Sequence, residues 1–241
     1  MKRSSDEWSD PTLPAVIFDL DGVIVDSEIW WHQERVAWAV GLGLEWDEDD
    51  SRAVMGANSR GWARIMRERM GLPIAAEPEI EAEIVRRVVG RYAEGAPDIP
   101  GAIDAIRRIA RNHPVAIASS AHRAVIDAAL RATGLAALIP VVVSSDEVAH
   151  GKPAPDVYLE AARRLGVEPE ACLVVEDSIN GVRAAVAAGM TVVLVPNASV
   201  PPDPEARRIA QHTMDRLADL DPTFVSGPAA GAPGAGGRRS A

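Results

Sequence analysis

Short apolar runs alternate with longer stretches in which apolar residues recur every three or four positions. Such runs predict buried strands, and the longer stretches predict helices with one apolar face. Strands are expected at about 15–19, 115–118, 141–143, 172–175 and 191–195, and helices between them at about 102–111, 123–133, 155–165 and 179–188. Apolar strands that alternate with helices are typical of a parallel sheet covered on both faces. We therefore predict an α/β fold with a doubly wound parallel sheet of the Rossmann type.

The first two predicted strands are far apart in sequence, because no strand signal follows Asp19 before Val115. Loops in α/β units are only roughly 2–6 residues long. The intervening stretch has helical periodicity, with helices expected at about 29–40, 47–54, 59–70 and 77–92. We predict an inserted α-helical cap domain at 27–96, an α/β core at 14–26 and 97–225, a flexible polar leader at 1–13 and a disordered Gly/Ala/Pro-rich tail at 226–241.

The composition narrows the classes of partner. The 241 residues carry 25 Lys and Arg against 35 Asp and Glu, a formal net charge of -10. Nucleic acid and anionic membranes are therefore poor partners for this chain. No run reaches the roughly 18 apolar residues that a membrane span needs, and the leader lacks the apolar core of a secretory signal. Cys172 is the single cysteine, which excludes an internal disulfide bond and suits a reducing, cytoplasmic environment.

Two carboxylates, Asp19 and Asp21, follow the first predicted strand and are themselves followed by Gly22. Residues i and i+2 of an extended chain project to the same side, so the two carboxylates are expected to lie together. Neighbouring carboxylates repel and favour a cation beside them, and a hard divalent cation such as Mg²⁺ prefers oxygen ligands. The simpler interpretation is ordinary turn chemistry, since Asp and Gly commonly follow a strand.

Other strands of the predicted sheet also end in polar side chains. Ligands of open parallel sheets bind beyond the carboxyl ends of the strands. The groups delivered there are Ser119 and Ser120 after the second strand, Lys152 beyond the third, and Glu176 and Asp177 after the fourth. Each has a simpler interpretation: a turn serine, a solvated lysine, or carboxylates that favour the positive end of a helix. Their joint arrival at one edge favours a functional site.

These residues fall in motifs through which the chain resembles the haloacid dehalogenase (HAD) superfamily of phosphotransferases. The resemblance covers about residues 15–220 and is closest to the subgroup with a helical cap, which includes β-phosphoglucomutase-like and phosphoglycolate-phosphatase-like proteins. The motifs are Asp19-Leu20-Asp21-Gly22-Val23, Ala118-Ser119-Ser120, Gly151-Lys152-Pro153-Ala154-Pro155-Asp156, Glu176-Asp177-Ser178 with Gly181, and Asp26-Ser27-Glu28 at the expected cap hinge.

The resemblance implies specific roles for the two leading carboxylates. Asp19 would be the nucleophile that attacks phosphorus and forms an aspartyl-phosphate. Asp21 would be the general acid that protonates the leaving oxygen, and then the base that activates water. Phosphoryl transfer depends mainly on positioning and charge neutralisation, which is what such a site supplies.

The resemblance also implies which residues hold the phosphoryl group and the metal ion. Its phosphate ligands would be Ser119, Ser120 and Lys152. The metal site would hold Mg²⁺ on Asp19, the backbone carbonyl of Asp21 and Asp177, with Glu176 bound directly or through water.

The start of the predicted cap bears on the choice between phosphatase and mutase. Asp26 or Ser27 is expected to cap the first cap helix. In the mutases that the chain resembles, a cap histidine follows the Asp-Ser/Thr hinge by five positions. Counted from Asp26, that position is Trp31 here, and His32 comes one residue later. Because a helix turns by about 100° per residue, this offset argues against mutase activity.

The cap is expected to close over the site and select the substrate. The candidate substrate residues in the cap are Trp31, His32, Asn58 and Arg60. Arg60 would bind a second anionic group, although a solvated helix arginine is an equally good interpretation. Tryptophans at helical spacing belong to a hydrophobic core more often than to a pocket, so this alternative also stays open.

The favoured function is a Mg²⁺-dependent phosphatase of a small phosphorylated metabolite, with sugar phosphates as the leading class. The alternatives are a phosphomutase of the β-phosphoglucomutase type and a non-catalytic phosphometabolite-binding protein. The expected partner is a small phosphorylated substrate, without nucleic acid or membrane, and the chain is expected to be a monomer or a weak homo-oligomer. Neither the substrate nor the cap residues that select it follow from the sequence.

Overall fold

The computed structural model describes residues 14–54, 59–197 and 203–226. The predicted leader at 1–13 lies outside the described residues, and so does the predicted tail apart from Ser226. The expectation of disorder at both ends therefore stays a prediction.

Six parallel strands form one sheet in the order β3-β2-β1-β4-β5-β6. They are β1 (Ala15–Phe18), β2 (Val115–Ser119), β3 (Val141–Ser144), β4 (Cys172–Glu176), β5 (Thr191–Leu194) and β6 (His212–Thr213). The central strand β1 pairs with β2 on one side and β4 on the other, with Val16 opposite both Val115 and Leu173. The predicted doubly wound parallel sheet is confirmed.

Both faces of the sheet are buried, which explains why its strands are apolar at successive positions. In β1, Val16 and Phe18 face one hydrophobic cluster, while Ala15 and Ile17 face the other. Alternate strand residues point to opposite sides of a sheet, so a strand with two buried faces needs apolar residues throughout. The helices of the α/β part are α5 (Ala102–Ile109), α6 (Arg123–Ala132), α7 (Asp156–Leu165), α8 (Ile179–Ala187), α9 (Pro204–Ile209) and α10 (Pro222–Ser226).

Among the described residues between β1 and α5, the chain forms four α-helices. They are α1 (Glu28–Gly41), α2 (Glu48–Val54), α3 (Ser59–Arg69) and α4 (Glu77–Arg91). Ile80, Ile84 and Val88 of α4 are fully buried and lie on one face, because residues four apart align along a helix. They belong to the same cluster as Trp62 of α3. The helical character of this insert agrees with its sequence pattern, and its role as a cap stays a prediction.

The C-terminal elements after β5 had no counterpart among the predicted ones. β6 has only two residues and pairs with the edge of the sheet, with His212 opposite Val193. A two-residue polar strand leaves no periodic signal, so its pairing partner is visible only in the structure. Within the described ranges, no helix has both the length and the apolar character of a membrane span.

Candidate active site

The predicted polar residues meet at one cavity of about 340 Å³ beyond the carboxyl ends of the strands. This volume lies within the range of small-ligand pockets, roughly 300–1,000 Å³. The cavity is lined from the sheet by Asp19, Asp21, Ser119, Ser120, Lys152 and Asp177, and from the insert by residues of α1, α2 and α3. The sheet and the helical insert therefore enclose one space between them.

Lys152 is the cation at the centre of the carboxylate cluster. Its Nζ donates to Oδ1 of Asp19 at 2.6 Å, to Oε1 of Glu176 at 2.6 Å and to the carbonyl of Ala118 at 3.1 Å. The side chain is 4% exposed, so these contacts are shielded from solvent. The structure thus excludes the alternative interpretation of Lys152 as a solvated loop lysine.

Glu176 is the fully buried carboxylate that organises this cluster. Its Oε1 accepts from Lys152 at 2.6 Å and from the hydroxyl of Tyr158 at 2.7 Å. Its Oε2 accepts from the backbone N–H groups of Asp177 and Ser178 and from the Ser178 hydroxyl, each at 3.0 Å. Both oxygens are therefore occupied by protein donors, and Glu176 orients its neighbours.

Burial raises the pKa of Asp19 to about 7, even though Lys152 lowers it. Burial also raises the pKa of Asp177 well above its ordinary value, and the charges of Glu176 and Asp19 raise it further. For Glu176, burial raises the pKa, but the charge of Lys152 and the hydrogen bonds from Lys152, Ser178 and Tyr158 together outweigh it, so the pKa lies below its ordinary value. One lysine cannot offset three neighbouring carboxylates, two of them buried and one half-buried, so this cluster favours an additional positive charge.

Asp21 lines the same cavity, and its carboxylate is held by Ser27. The Ser27 hydroxyl donates to Oδ1 of Asp21. Burial raises the pKa of Asp21 to about 6, and the Ser27 hydrogen bond opposes that rise. Ser27 was expected to cap α1, and it does precede the helix, but its side chain makes no capping hydrogen bond. The hydroxyl is directed to Asp21 instead.

Two glycines permit the close approach of the carboxylates. Gly22 has φ +83°, and a Cβ on it would overlap the carboxylate of Asp177. A Cβ on Gly181, at the start of α8, would overlap the carboxylate of Glu176. Side chains at either position would displace these acids from the carboxylate cluster, which explains why the motifs carry glycine there.

Carboxylate oxygens of Asp19, Glu176 and Asp177 lie within 4.8 Å of one another. Three acidic oxygens at this spacing form a hard-oxygen donor set that fits Mg²⁺. Protein donors already occupy both carboxylate oxygens of Glu176. Asp19 and Asp177 are therefore better placed to contact an ion. The metal-binding roles of Asp19, Asp21, Glu176 and Asp177 stay predictions.

Ser119 and Ser120 also lie at the cavity. Ser119 ends β2, is 2% exposed and accepts a hydrogen bond from the backbone N–H of Ala121 at 3.1 Å. Both serines line the cavity beside Lys152. This placement is compatible with the predicted phosphate contacts, which stay a prediction.

The insert brings only part of its predicted substrate set to the cavity. Trp31 lines the cavity and is 6% exposed, because it also packs edge-on against Trp62 with ring centroids 5.8 Å apart. His32 lies outside the described cavity lining, with its Nδ1 2.6 Å from the Ser51 hydroxyl of α2. The helix turns by about 100° between the two residues, which explains why His32 joins α1 to α2 instead.

The other two predicted substrate residues of the insert cannot be located in the same way. Asn58 lies outside the described residues, and so does the side chain of Arg60. Their substrate roles stay predictions.

Four residues at the site were not anticipated in these roles: Ser27, Arg35, Trp62 and Tyr158. Tyr158 lies on the inner face of α7 and Trp62 on that of α3, and both look like ordinary core residues in sequence. Arg35 offered one signal, since it lies four residues after Trp31 on the same helix face. A charged residue on the apolar face of a helix indicates that the charge is buried for a function or is paired with another group.

Comparison with known proteins gives a consistent family. Residues 13–189 match the hydrolase family described as haloacid dehalogenase-like hydrolase. Fructose-1-phosphate phosphatase YqaB of Escherichia coli is 34% identical over 184 residues, which are 74% of this chain and 94% of that protein. The crystal structure of CbbY from Rhodobacter sphaeroides in complex with phosphate has a TM-score of 0.77 at 28% identity, covering 86% of this chain and 96% of that chain.

Some matched relatives are much longer. Protein SUPPRESSOR OF QUENCHING 1, chloroplastic, of Arabidopsis thaliana is 36% identical over 199 residues, which are 80% of this chain. The chain spans 18% of the length of that protein and 54% of a second matched relative.

Proposed function

Because the chain belongs to the haloacid dehalogenase-like hydrolases, we propose that it is a Mg²⁺-dependent phosphatase of a small phosphorylated metabolite. Sugar phosphates are the leading substrate class, and the reaction would pass through a phosphoryl group on Asp19. The observation that carries the proposal is the contact of Lys152 with Asp19 at 2.6 Å inside a cavity of ligand size. The relative named a fructose-1-phosphate phosphatase supports the substrate class.

Asp19 is placed to act as the nucleophile. It follows the central strand β1, its side chain is 10% exposed, and Lys152 contacts one of its oxygens. The ammonium favours the ionised carboxylate against the effect of burial. When a phosphoryl group approaches, the same ammonium can neutralise its oxygens, and Ser119 at the end of β2 can donate to them.

Asp21 is placed to move the proton. Its pKa of about 6 allows both protonation states near neutral pH, which suits a group that first donates a proton to the leaving oxygen and later accepts one from water. Ser27 fixes the orientation of this carboxyl through the hydrogen bond to Oδ1. The insert covers the cavity with Trp31 and Trp62, which limits access of bulk water.

Asp19 and Asp177 would hold Mg²⁺, together with the backbone carbonyl of Asp21, while Glu176 keeps Lys152 and the Asp177 backbone in place. A bound divalent cation would neutralise phosphoryl charge and favour ionised Asp19. The fit rests on the hard-oxygen donor set and on Gly22, whose missing Cβ leaves room for the Asp177 carboxylate.

A screen of phosphate monoesters with purified protein tests the proposal. We expect release of phosphate from sugar phosphates with Mg²⁺ and none in excess chelator. Asp19→Asn should reduce release at least about 1000-fold, since loss of a nucleophile removes the covalent route. Asp104→Asn is the matched control, because Asp104 is an exposed acid paired with Arg107. Unchanged release by Asp19→Asn would overturn the proposed nucleophile, and no release from any ester would overturn the phosphatase.

A phosphomutase is the alternative reaction for the same site. The position of His32 against Ser51 disfavours it, given the cap histidine of the mutases that the chain resembles. Incubation with a hexose 1-phosphate and the corresponding bisphosphate separates the two activities. Isomerised sugar phosphate without net release of phosphate would establish the mutase.

A further inference from the structure

Arg35 of α1 is a buried cation in the wall of the active-site cavity. It is 4% exposed and lines the cavity from the insert, opposite the strand ends. Its guanidinium carbon lies 5.2 Å from the ring centroid of Trp31 and 5.4 Å from that of Trp62. The two indoles therefore hold the planar group in a fixed orientation, partly through cation–π attraction.

Two of the three side-chain nitrogens of Arg35 form no hydrogen bond with the described parts of the protein. Its Nε and Nη1 are buried and have no hydrogen-bond partner among the described residues. Arg35 forms an ion pair with Glu28, but Oε1 of Glu28 lies 3.9 Å from Nη1, beyond hydrogen-bond distance. Burial lowers the pKa of Arg35 to about 10, so the group is still charged at neutral pH. Unpaired donors of a buried cation are costly, and a structural role alone does not explain them.

The cavity has two positive side chains among its described lining residues, and they lie on different sides of it. Lys152 is engaged with Asp19, Glu176 and the Ala118 carbonyl at the sheet edge. Arg35 lies on α1, on the insert side of the same cavity. A substrate that reaches from Lys152 to Arg35 would meet positive charge at both ends.

We propose that Arg35 binds a second anionic group of the substrate, a carboxylate or a phosphate, at the end remote from the transferred phosphoryl group. The inference rests on the proposed phosphatase and specifies its substrate as a phosphate ester with a second acidic end. The planar fork of arginine donors matches a carboxylate or a phosphate in bidentate geometry. Trp31 and Trp62 position this fork, and Arg35 is thus a specificity residue.

Two pairs of compounds isolate the second anionic group. Fructose 1,6-bisphosphate and fructose 1-phosphate differ in a distal phosphate. In the second pair, 6-phosphogluconate has a distal carboxylate where glucitol 6-phosphate has a hydroxymethyl group. We expect the wild-type protein to have the higher kcat/KM for the doubly anionic member of at least one pair. The pair that responds identifies the anion as a phosphate or as a carboxylate.

Arg35→Met removes the charge and keeps a long apolar side chain between the indoles. Since hydrogen bonds to charged groups stabilise by about 1.5–3 kcal/mol, kcat/KM for the preferred doubly anionic compound should fall about 10- to 100-fold, mainly through KM. Its singly anionic counterpart should change less than about 3-fold. Arg35→Lys, which keeps the charge without the fork, should give an intermediate loss.

Arg91→Met is the matched control. Arg91 also stacks on an indole of the insert, with its guanidinium carbon 5.4 Å from the centroid of Trp30, but it hydrogen-bonds to Glu34 and Gln33 outside the cavity. We expect this variant to leave both pairs unchanged. Thermal unfolding of each variant shows whether it folds, and Arg35→Met should not lower Tm, because it removes unpaired buried donors.

The proposal is overturned if Arg35→Met reduces activity equally on both members of a pair, if it has no effect, or if the wild-type protein has no preference for a second anion. Calorimetric binding of the same four compounds separates this outcome from failure of the proposed function. An Arg35-dependent preference in binding without hydrolysis would refute the phosphatase alone. Hydrolysis without that preference would refute the role of Arg35 alone.

Discussion

The hydroxyl of Ser27 donates a hydrogen bond to Oδ1 of Asp21, which links the residue before α1 to a carboxylate of the cavity. The first helix of the insert therefore begins directly after a residue that contacts Asp21, the residue proposed to move the proton. Any change in the position of α1 is expected to change the orientation of Asp21. This link couples the placement of the insert to the chemistry of the sheet edge.

Ser27→Ala should shift the pH profile of the enzyme. The hydroxyl stabilises ionised Asp21, so its removal raises the pKa of Asp21 above about 6. Because Asp21 must carry a proton to assist the leaving group, the alkaline limb of kcat/KM should move to higher pH. Ser27→Thr keeps the hydroxyl and should leave the limb in place. A limb that stays put in Ser27→Ala, or moves to lower pH, would refute the assignment of Asp21.

Lys152→Met should destabilise the metal-free protein. It leaves Asp19 and Glu176 buried without their cation, and breaking one side of a buried ion pair costs about 3–5 kcal/mol. Denaturant unfolding in the presence of a chelator measures the change. The double variant Lys152→Met with Glu176→Gln should recover part of the loss, because it removes both charges. Additive losses in the double variant would show that the two side chains are not coupled.

Mg²⁺ should raise the thermal stability of the protein through Asp177. A ligand at 100 times its Kd stabilises the folded state by about 2.7 kcal/mol. Asp177→Asn removes one negatively charged ligand of the ion and should abolish most of the rise in Tm. Asp104→Asn should keep the rise. If Asp177→Asn responds to Mg²⁺ as the wild-type protein does, the ion is held elsewhere.

The metal-free protein should lose stability as the pH rises towards neutrality. The pKa of Asp19 is raised from 3.8 to about 7 in the folded state, so the folded protein keeps a proton that the unfolded chain releases. Its contribution to stability is present at low pH and decreases between pH 3.8 and about 7. The free energies of unfolding of the wild-type protein and of Asp19→Asn, measured in chelator across this pH range, test the direction of this change in stability. A larger decrease in Asp19→Asn than in wild type would contradict it.

Much of the fold was predictable because its strands are buried on both faces. Val16 and Ile17 of β1 enter different hydrophobic clusters, and a strand with such surroundings shows as an uninterrupted apolar run. The edge strand β6 has no such run, since one of its two residues, Thr213, is exposed. Its pairing depends on tertiary context that the local sequence does not carry.

The candidate site was predictable where a residue type at a strand end implies its chemistry, and Asp19 and Lys152 are of this kind. Residues that act through orientation were not predictable. Tyr158 reaches Glu176 only because α7 packs against β1, β2 and β3, and Ser27 turns towards Asp21 rather than capping its helix. The direction in which a side chain points from its helix is set by packing, which a single sequence does not reveal.

Chemical trapping of a phosphoryl group on Asp19 tests the central claim most directly. The protein is mixed with a phosphate-labelled sugar phosphate and Mg²⁺, quenched in acid within a single turnover, and digested for peptide mapping. We predict label on the peptide that contains Asp19, released by hydroxylamine as expected of an acyl phosphate and absent in chelator. Phosphate release by the wild-type protein without such label, or the same label on Asp19→Asn, would contradict the account.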